Sequence, residues 1–186
     1  MSEKLVDGKG RGFEAEVTSD NKLATFSVSR AEIEDVSLND GEAYVFATSN
    51  HIDVPIANTL YGIFYVENTS ETKKLYIDSI RSCGTAVQKW NIYKNPTTST
   101  VIDDQTAGVS TNMNFSSANT ADVNVYQGTG TSFTGGTLVE NWVNDVGHSL
   151  EHYNGAVILG KNDSLGMSAN IAASGDLCVR IIGYYL

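Results

Sequence analysis

Leu177-Cys178-Val179-Arg180-Ile181-Ile182-Gly183-Tyr184-Tyr185 begins as a strict alternation, with Leu177, Val179 and Ile181 on one face and Cys178, Arg180 and Ile182 on the other. A period of two marks a strand with one face on a core. Two further strands precede it closely. Ala156 to Leu159 ends in the turn Gly160-Lys161-Asn162-Asp163, and Leu165, Met167, Ala169 and Ile171 then alternate up to Ser174-Gly175-Asp176. Apolar alternation punctuated by Gly, Asn, Asp and Ser is the pattern of an antiparallel all-β fold. The stretch closing in Tyr184-Tyr185-Leu186 is expected inside a sheet.

Working outward, Leu60 to Val66 is apolar on both faces, which predicts a central strand covered on both sides. Asn68-Thr69-Ser70-Glu71-Thr72 closes it with a polar turn. Leu75, Ile77 and Ser79 against Tyr76, Asp78 and Ile80 predict the next strand, and Val87 to Tyr93, with Trp90, another, so residues 60 to 93 read as a three-strand meander. Near the start, Phe13, Ala15 and Val17 break at Ser19-Asp20-Asn21 and resume as Ala24, Phe26 and Val28, a hairpin signal. Ser29 to Val36 predicts a short helix, with Ser29 as cap and Glu32 completing a capping box. Asn39-Asp40-Gly41 is a turn, Glu42 to Thr48 alternates, and a loop follows through His51 and Pro55. Residues 95 to 136, rich in Thr, Ser, Asn and Gly, read as long loops with short strands around Val123 and Val125. The expected architecture is an antiparallel β-sandwich of jelly-roll type with an extended N-terminal arm: residues 1–28 form the arm and first hairpin, 29–186 a single domain.

Composition narrows the function. The chain has 186 residues, 41% hydrophobic, with 22 acidic side chains against 12 Lys and Arg and a net charge of -10. Affinity for a phosphate backbone comes from Lys and Arg displacing counterions, so neither nucleic acid nor an anionic membrane is expected as a partner. The opening residues 1 to 13 hold no apolar stretch of signal-peptide length, which predicts synthesis in a cytoplasm. Cys83 and Cys178, 95 residues apart in sequence, are expected as two buried thiols.

The sharpest chemical motif is His148-Ser149-Leu150-Glu151-His152, whose H-x-x-E-H spacing would put two imidazoles and a carboxylate on one helix face over a zinc ion. Gly147 before it and Asn154-Gly155 after it oppose a helix there. Gln127-Gly128-Thr129-Gly130-Thr131-Ser132 lacks phosphate-loop spacing, and no G-x-S-x-G occurs. No catalytic, cofactor-binding or metal-binding residue is therefore assigned, no cofactor is expected, and the chain is read as a non-enzyme. Asn68-Thr69-Ser70, Asn114-Phe115-Ser116 and Asn162-Asp163-Ser164 match glycosylation sequons but read as turns. Trp90 is expected in the core, and Trp142 as an exposed contact residue.

Asp7-Gly8-Lys9-Gly10-Arg11-Gly12-Phe13 leading to Thr25-Phe26-Ser27-Val28, then Gly41-Glu42-Ala43-Tyr44, the Tyr61-to-Val66 strand, and Gly175-Asp176-Leu177-Cys178-Val179-Arg180-Ile181-Ile182-Gly183-Tyr184-Tyr185 together resemble small virion structural proteins of tailed bacteriophages. The resemblance implies a jelly-roll capsid decoration or cement protein, a homo-oligomer with a trimer favoured, seated on the major capsid protein or another virion protein and located in the virion. A competing expectation is a receptor- or glycan-binding module of a tail or fibre, using residues 95 to 155 and Trp142. A third is a hydrolase using scattered carboxylates or the His148/Glu151/His152 group.

Overall fold

A computed structural model describes residues 32–103 and 106–186, together with three short strands before them. Those strands are β1 (Lys4–Val6), β2 (Glu14–Val17) and β3 (Leu23–Phe26), an antiparallel sheet in which Glu14 pairs with Phe26 and Val17 with Leu23. This is the hairpin expected over residues 13–28, and β1 adds an edge segment to it. The rest of the anticipated arm, the turn at 19–21 and the Ser29 cap lie outside the described residues.

Helix α1 (Glu32–Asn39) bears out the short helix expected here and runs three residues beyond Val36. Its Val36 is buried against Ala43 and Tyr184. The helix ends where the Asp40 and Gly41 amides both reach the Val36 carbonyl, with Gly41 at a φ of 63°, a left-handed cap that glycine adopts without steric cost.

Two antiparallel sheets pack as a sandwich. The first has the order β10 (Val123–Thr131), β6 (Leu60–Asn68), β13 (Ser164–Ile171), β8 (Gln88–Lys94), β11 (Thr137–Asn144). The second has the order β12 (Gly147–Leu159), β7 (Leu75–Gly84), β14 (Gly175–Tyr185), β4 (Ala43–Ala47), β9 (Val109–Asn112), and β5 (Ile52–Val54) also pairs with β14. The loop expected through His51 and Pro55 thus contains a short strand.

The meander expected over residues 60–93 does not form. β6 and β8 belong to the first sheet and β7 to the second, so the turns at 69–74 and 85–87 carry the chain across the core. Alternation specifies which face of a strand is buried, but not which distant strand supplies its hydrogen bonds. β14 does lie inside its sheet, between β7 and β4.

Trp90, Phe46, Phe64, Ile77, Ile80, Leu177 and Ile181 are buried between the sheets. Each such side chain removed from water stabilises the fold by about 1.5–3 kcal/mol before entropy is counted. On the other face of the first sheet, Tyr65 packs with Val101 and Phe133. Val101 comes from the short helix α2 (Thr100–Asp103), which covers β6 and so explains why Leu60 to Val66 is apolar on both faces.

Cys83 and Cys178 form a disulfide, not the pair of buried thiols expected from the sequence. They are directly opposed on β7 and β14, so a separation of 95 residues in sequence becomes a Cα separation of 5.1 Å. Both lie half-buried on the outer face of the second sheet, the face that Cys178 shares with Arg180.

Candidate interaction surface

The two sides of the sandwich are closed differently. On one side the residues leading into β9 bond to β10: the Gly108 amide donates to the Val125 carbonyl at 3.0 Å and the Gln127 amide to the Thr106 carbonyl at 2.9 Å. On the other side stand β11 and β12, each at the edge of its own sheet and joined by Asp145-Val146. Among the described residues no backbone hydrogen bond connects these two strands.

Side chains bridge that gap instead. The Trp142 indole donates to Ser149 Oγ at 3.2 Å, and Asn144 Nδ2 donates to Ser149 Oγ at 2.8 Å and to Ser82 Oγ at 3.0 Å. Further along, β12 bulges: Tyr153-Asn154-Gly155-Ala156 lies between the pairs His152–Ser79 and Val157–Ile77, with Asn154 and Gly155 at φ of 49° and 78°. Tyr153, in this bulge, donates its hydroxyl to the Glu140 carboxylate of β11. Burial, and then that hydrogen bond to an anion, push the Tyr153 phenol well above its ordinary pKa, so it remains a donor.

At the Tyr153–Glu140 bridge, away from Trp142 and Ser149, the seam opens into a hollow of about 200 Å³, lined also by Ile92, Val139, Val157, Ile158 and Leu165 among others. Around it the flank is apolar and exposed. Leu138, Val139, Val143, Val146, Leu150 and Ile158 all lie between β11 and the end of β12, with exposures from 45% for Ile158 to 68% for Val146. Single exposed apolar residues are ordinary, but six within 21 positions, on two open edge strands and the turn between them, are an unusual concentration.

Several residues singled out from sequence lie on these same two strands, but not in the roles expected of them. Trp90 is fully buried, as expected. Trp142 is no exposed contact residue: it is half-buried, stacked on Trp90 with ring centres 6.4 Å apart, because strand alternation turns it inward beside the neighbouring tryptophan of β8. No known protein family matches this chain, and no curated protein is significantly similar to it.

His148 and His152 lie on strand β12, not on a helix. Four residues of strand span about 13 Å, beyond the reach of a shared metal ion, and Glu151 points to the opposite face. Among the described residues no group of three His, Cys, Asp or Glu side chains is placed to hold a metal. Gln127 to Thr131, read as loop, is the second half of β10. Asn68 of the first sequon is a fully buried hydrogen-bonding centre.

The apolar flank itself went unread in the sequence. Its signal is Leu138-Val139 and Val143 to Leu150, where apolar residues interrupt a polar segment without following one face.

Proposed function

We propose that the protein is a non-enzymatic structural component of a bacteriophage virion, a jelly-roll capsid decoration or cement protein that acts as a homo-oligomer, favoured as a trimer, on the major capsid protein. The observation carrying this reading is the open, apolar β11/β12 flank. Two unpaired edges of 8 and 13 residues beside exposed valines and leucines are an aggregation hazard for a free monomer, and a specific partner surface removes that hazard. The order β4-β14-β7-β12 over β6-β13-β8-β11 supports the jelly-roll reading, with β5, β9 and β10 as additions. The surplus of carboxylates supports a role outside the nucleic-acid interior of a particle.

The competing glycan-binding reading loses its stacking platform, since Trp142 is committed to Trp90 and Ser149.

The native mass of the purified chain, with mass spectrometry of purified particles from its source, tests the proposal. An oligomer that dissociates when Val143 and Val146 are both changed to Asp, and that co-purifies with particles, is the expected result. A concentration-independent monomer missing from particles overturns it.

A further inference from the structure

Arg81 and Arg180 are the only arginines between residues 32 and 186, and they are directly opposed on β7 and β14. Both are exposed on the outer face of the second sheet. Like charges directly opposite each other on neighbouring strands repel. A chain with 22 acidic residues has ample means to neutralise them, and it does so for two of its lysines: Lys73 pairs with Glu42 at 2.7 Å and Lys161 with Glu71 at 2.5 Å. Among the described residues neither arginine makes an ion pair, although Asp176 and Asp78 line the two depressions beside them.

Histidines border the pair on both sides. His148 is paired with Cys83, one row along from the arginines, and His152 with Ser79, one row the other way. His148 and His51 share a depression of about 410 Å³ with Arg81, Arg180 and the disulfide. His152 and Leu150 share the next with the same two arginines. All three histidines of the chain therefore border one arginine pair. On the far side of Arg180, Val45, Met113 and Phe115 form a shallow apolar hollow, and Phe115 is 93% exposed.

We propose that this face docks an acidic segment of a partner protein, with carboxylates held by the Arg81 and Arg180 guanidinium forks and neighbouring apolar side chains resting on Leu150 and in the Val45/Met113/Phe115 hollow. Two guanidiniums side by side present paired donors that match carboxylate oxygens. The depressions are open and shallow, unlike the enclosing pockets that small molecules need, so the ligand is a segment of chain lying along the sheet. Charge complementarity fixes its sign: on a protein of net charge -10, two guanidiniums without an ion pair attract an acidic segment even with Asp78 and Asp176 nearby. The inference shares Leu150 and the outer face of β12 with the flank described above, but it does not need the virion reading, because it rests on the arginine pair and holds for any acidic partner.

The test uses the full chain and a short fluorescent peptide alternating Glu with Leu and Phe, beside the same peptide with Gln for Glu. The Glu peptide is expected to bind about tenfold tighter or more, with the preference collapsing at high salt and in the double variant Arg81→Gln/Arg180→Gln. Should that variant fail to fold, the arginine Nε–H resonances of the wild-type protein decide: titration must move those of Arg81 and Arg180. Equal binding of the two peptides, no binding of either, a preference that survives the double variant, unmoved Arg81 and Arg180 signals, or tighter binding of a sulfated oligosaccharide than of the Glu peptide each overturns the proposal.

Discussion

Cys83 and Cys178 are joined across β7 and β14 at a point where the two strands are already neighbours in the sheet, so the bond reinforces an existing contact instead of creating one. Its stabilising effect therefore lies mainly in the unfolded chain, where it closes a long loop. The variant Cys83→Ser/Cys178→Ser is expected to keep the β-sheet signature in far-ultraviolet circular dichroism and to lose about 2–4 kcal/mol of stability. Chemical denaturation of the wild type with and without a reductant provides the matching measurement. Identical midpoints would show that the bond contributes nothing.

Asn68 is fully buried and uses its whole amide. Nδ2 donates to the Lys73 and Leu159 carbonyls at 3.0 and 2.9 Å, while Oδ1 accepts from the Ser70 amide at 3.0 Å and the Tyr185 hydroxyl at 3.3 Å. Asn68→Ala strands several buried partners and is expected to cost about 3 kcal/mol. Asn68→Asp replaces the donor by an acceptor facing two carbonyls. Relative to wild type it should become less stable still as pH rises from about 4 to about 7, because the buried carboxyl must ionise. A gap that stays constant with pH would refute this account.

Asp163 closes the turn between β12 and β13. Its carboxylate accepts from Asn95 Nδ2 at 2.8 Å and from the Gly160 amide at 3.0 Å. The Asn95 bond is the largest influence holding its pKa below the ordinary carboxylate value, against partial burial and with help from the Gly160 amide and nearby Lys94. A depressed folded pKa contributes stability that is present above the unfolded value near 4 and is lost as pH falls through the folded one. Asp163→Asn is therefore expected to be less stable than wild type at neutral pH, by about 1 kcal/mol, with the two melting curves converging below about pH 3. Parallel curves down to the lowest pH would remove Asp163 from the acid response.

Arg81→Glu should stabilise the fold, by about 0.2–1 kcal/mol, by turning a repulsive cross-strand pair with Arg180 into an attractive one. Thermal melts at low and high salt check it, since the gain must shrink with salt. An unchanged or lower melting temperature at low salt would mean that the two guanidiniums do not oppose each other as strongly as their register implies.

The alternation at 165–171 and 177–185 and the doubly apolar run at 60–66 carried the all-β reading, because burial of a strand face is written locally in side-chain polarity. Pairing is not. Nothing within residues 60–93 states that β7 leaves for the other sheet, and the adjacency of Cys83 and Cys178 exists only through that pairing. Trp142 misled for a related reason: its sequence neighbours Glu140, Asn141 and Asn144 are polar, while its true neighbour is Trp90, across the strand. The Arg81/Arg180 pair was hidden in the same way, as two residues 99 positions apart that share one rung.

β13 joins the β10–β6 ribbon to the β8–β11 ribbon, and β14 joins β12–β7 to β4–β9. Both joining strands follow the others in sequence, so during synthesis the chain emerges as four separate two-stranded ribbons, none with a completed core. Only when residues 164 to 185 have left the ribosome do both layers become continuous, which makes folding late, slow and nearly all-or-none. Until then the nascent chain needs shelter from its own exposed edges, and a nonsense change anywhere before Ser164 leaves no smaller folded product.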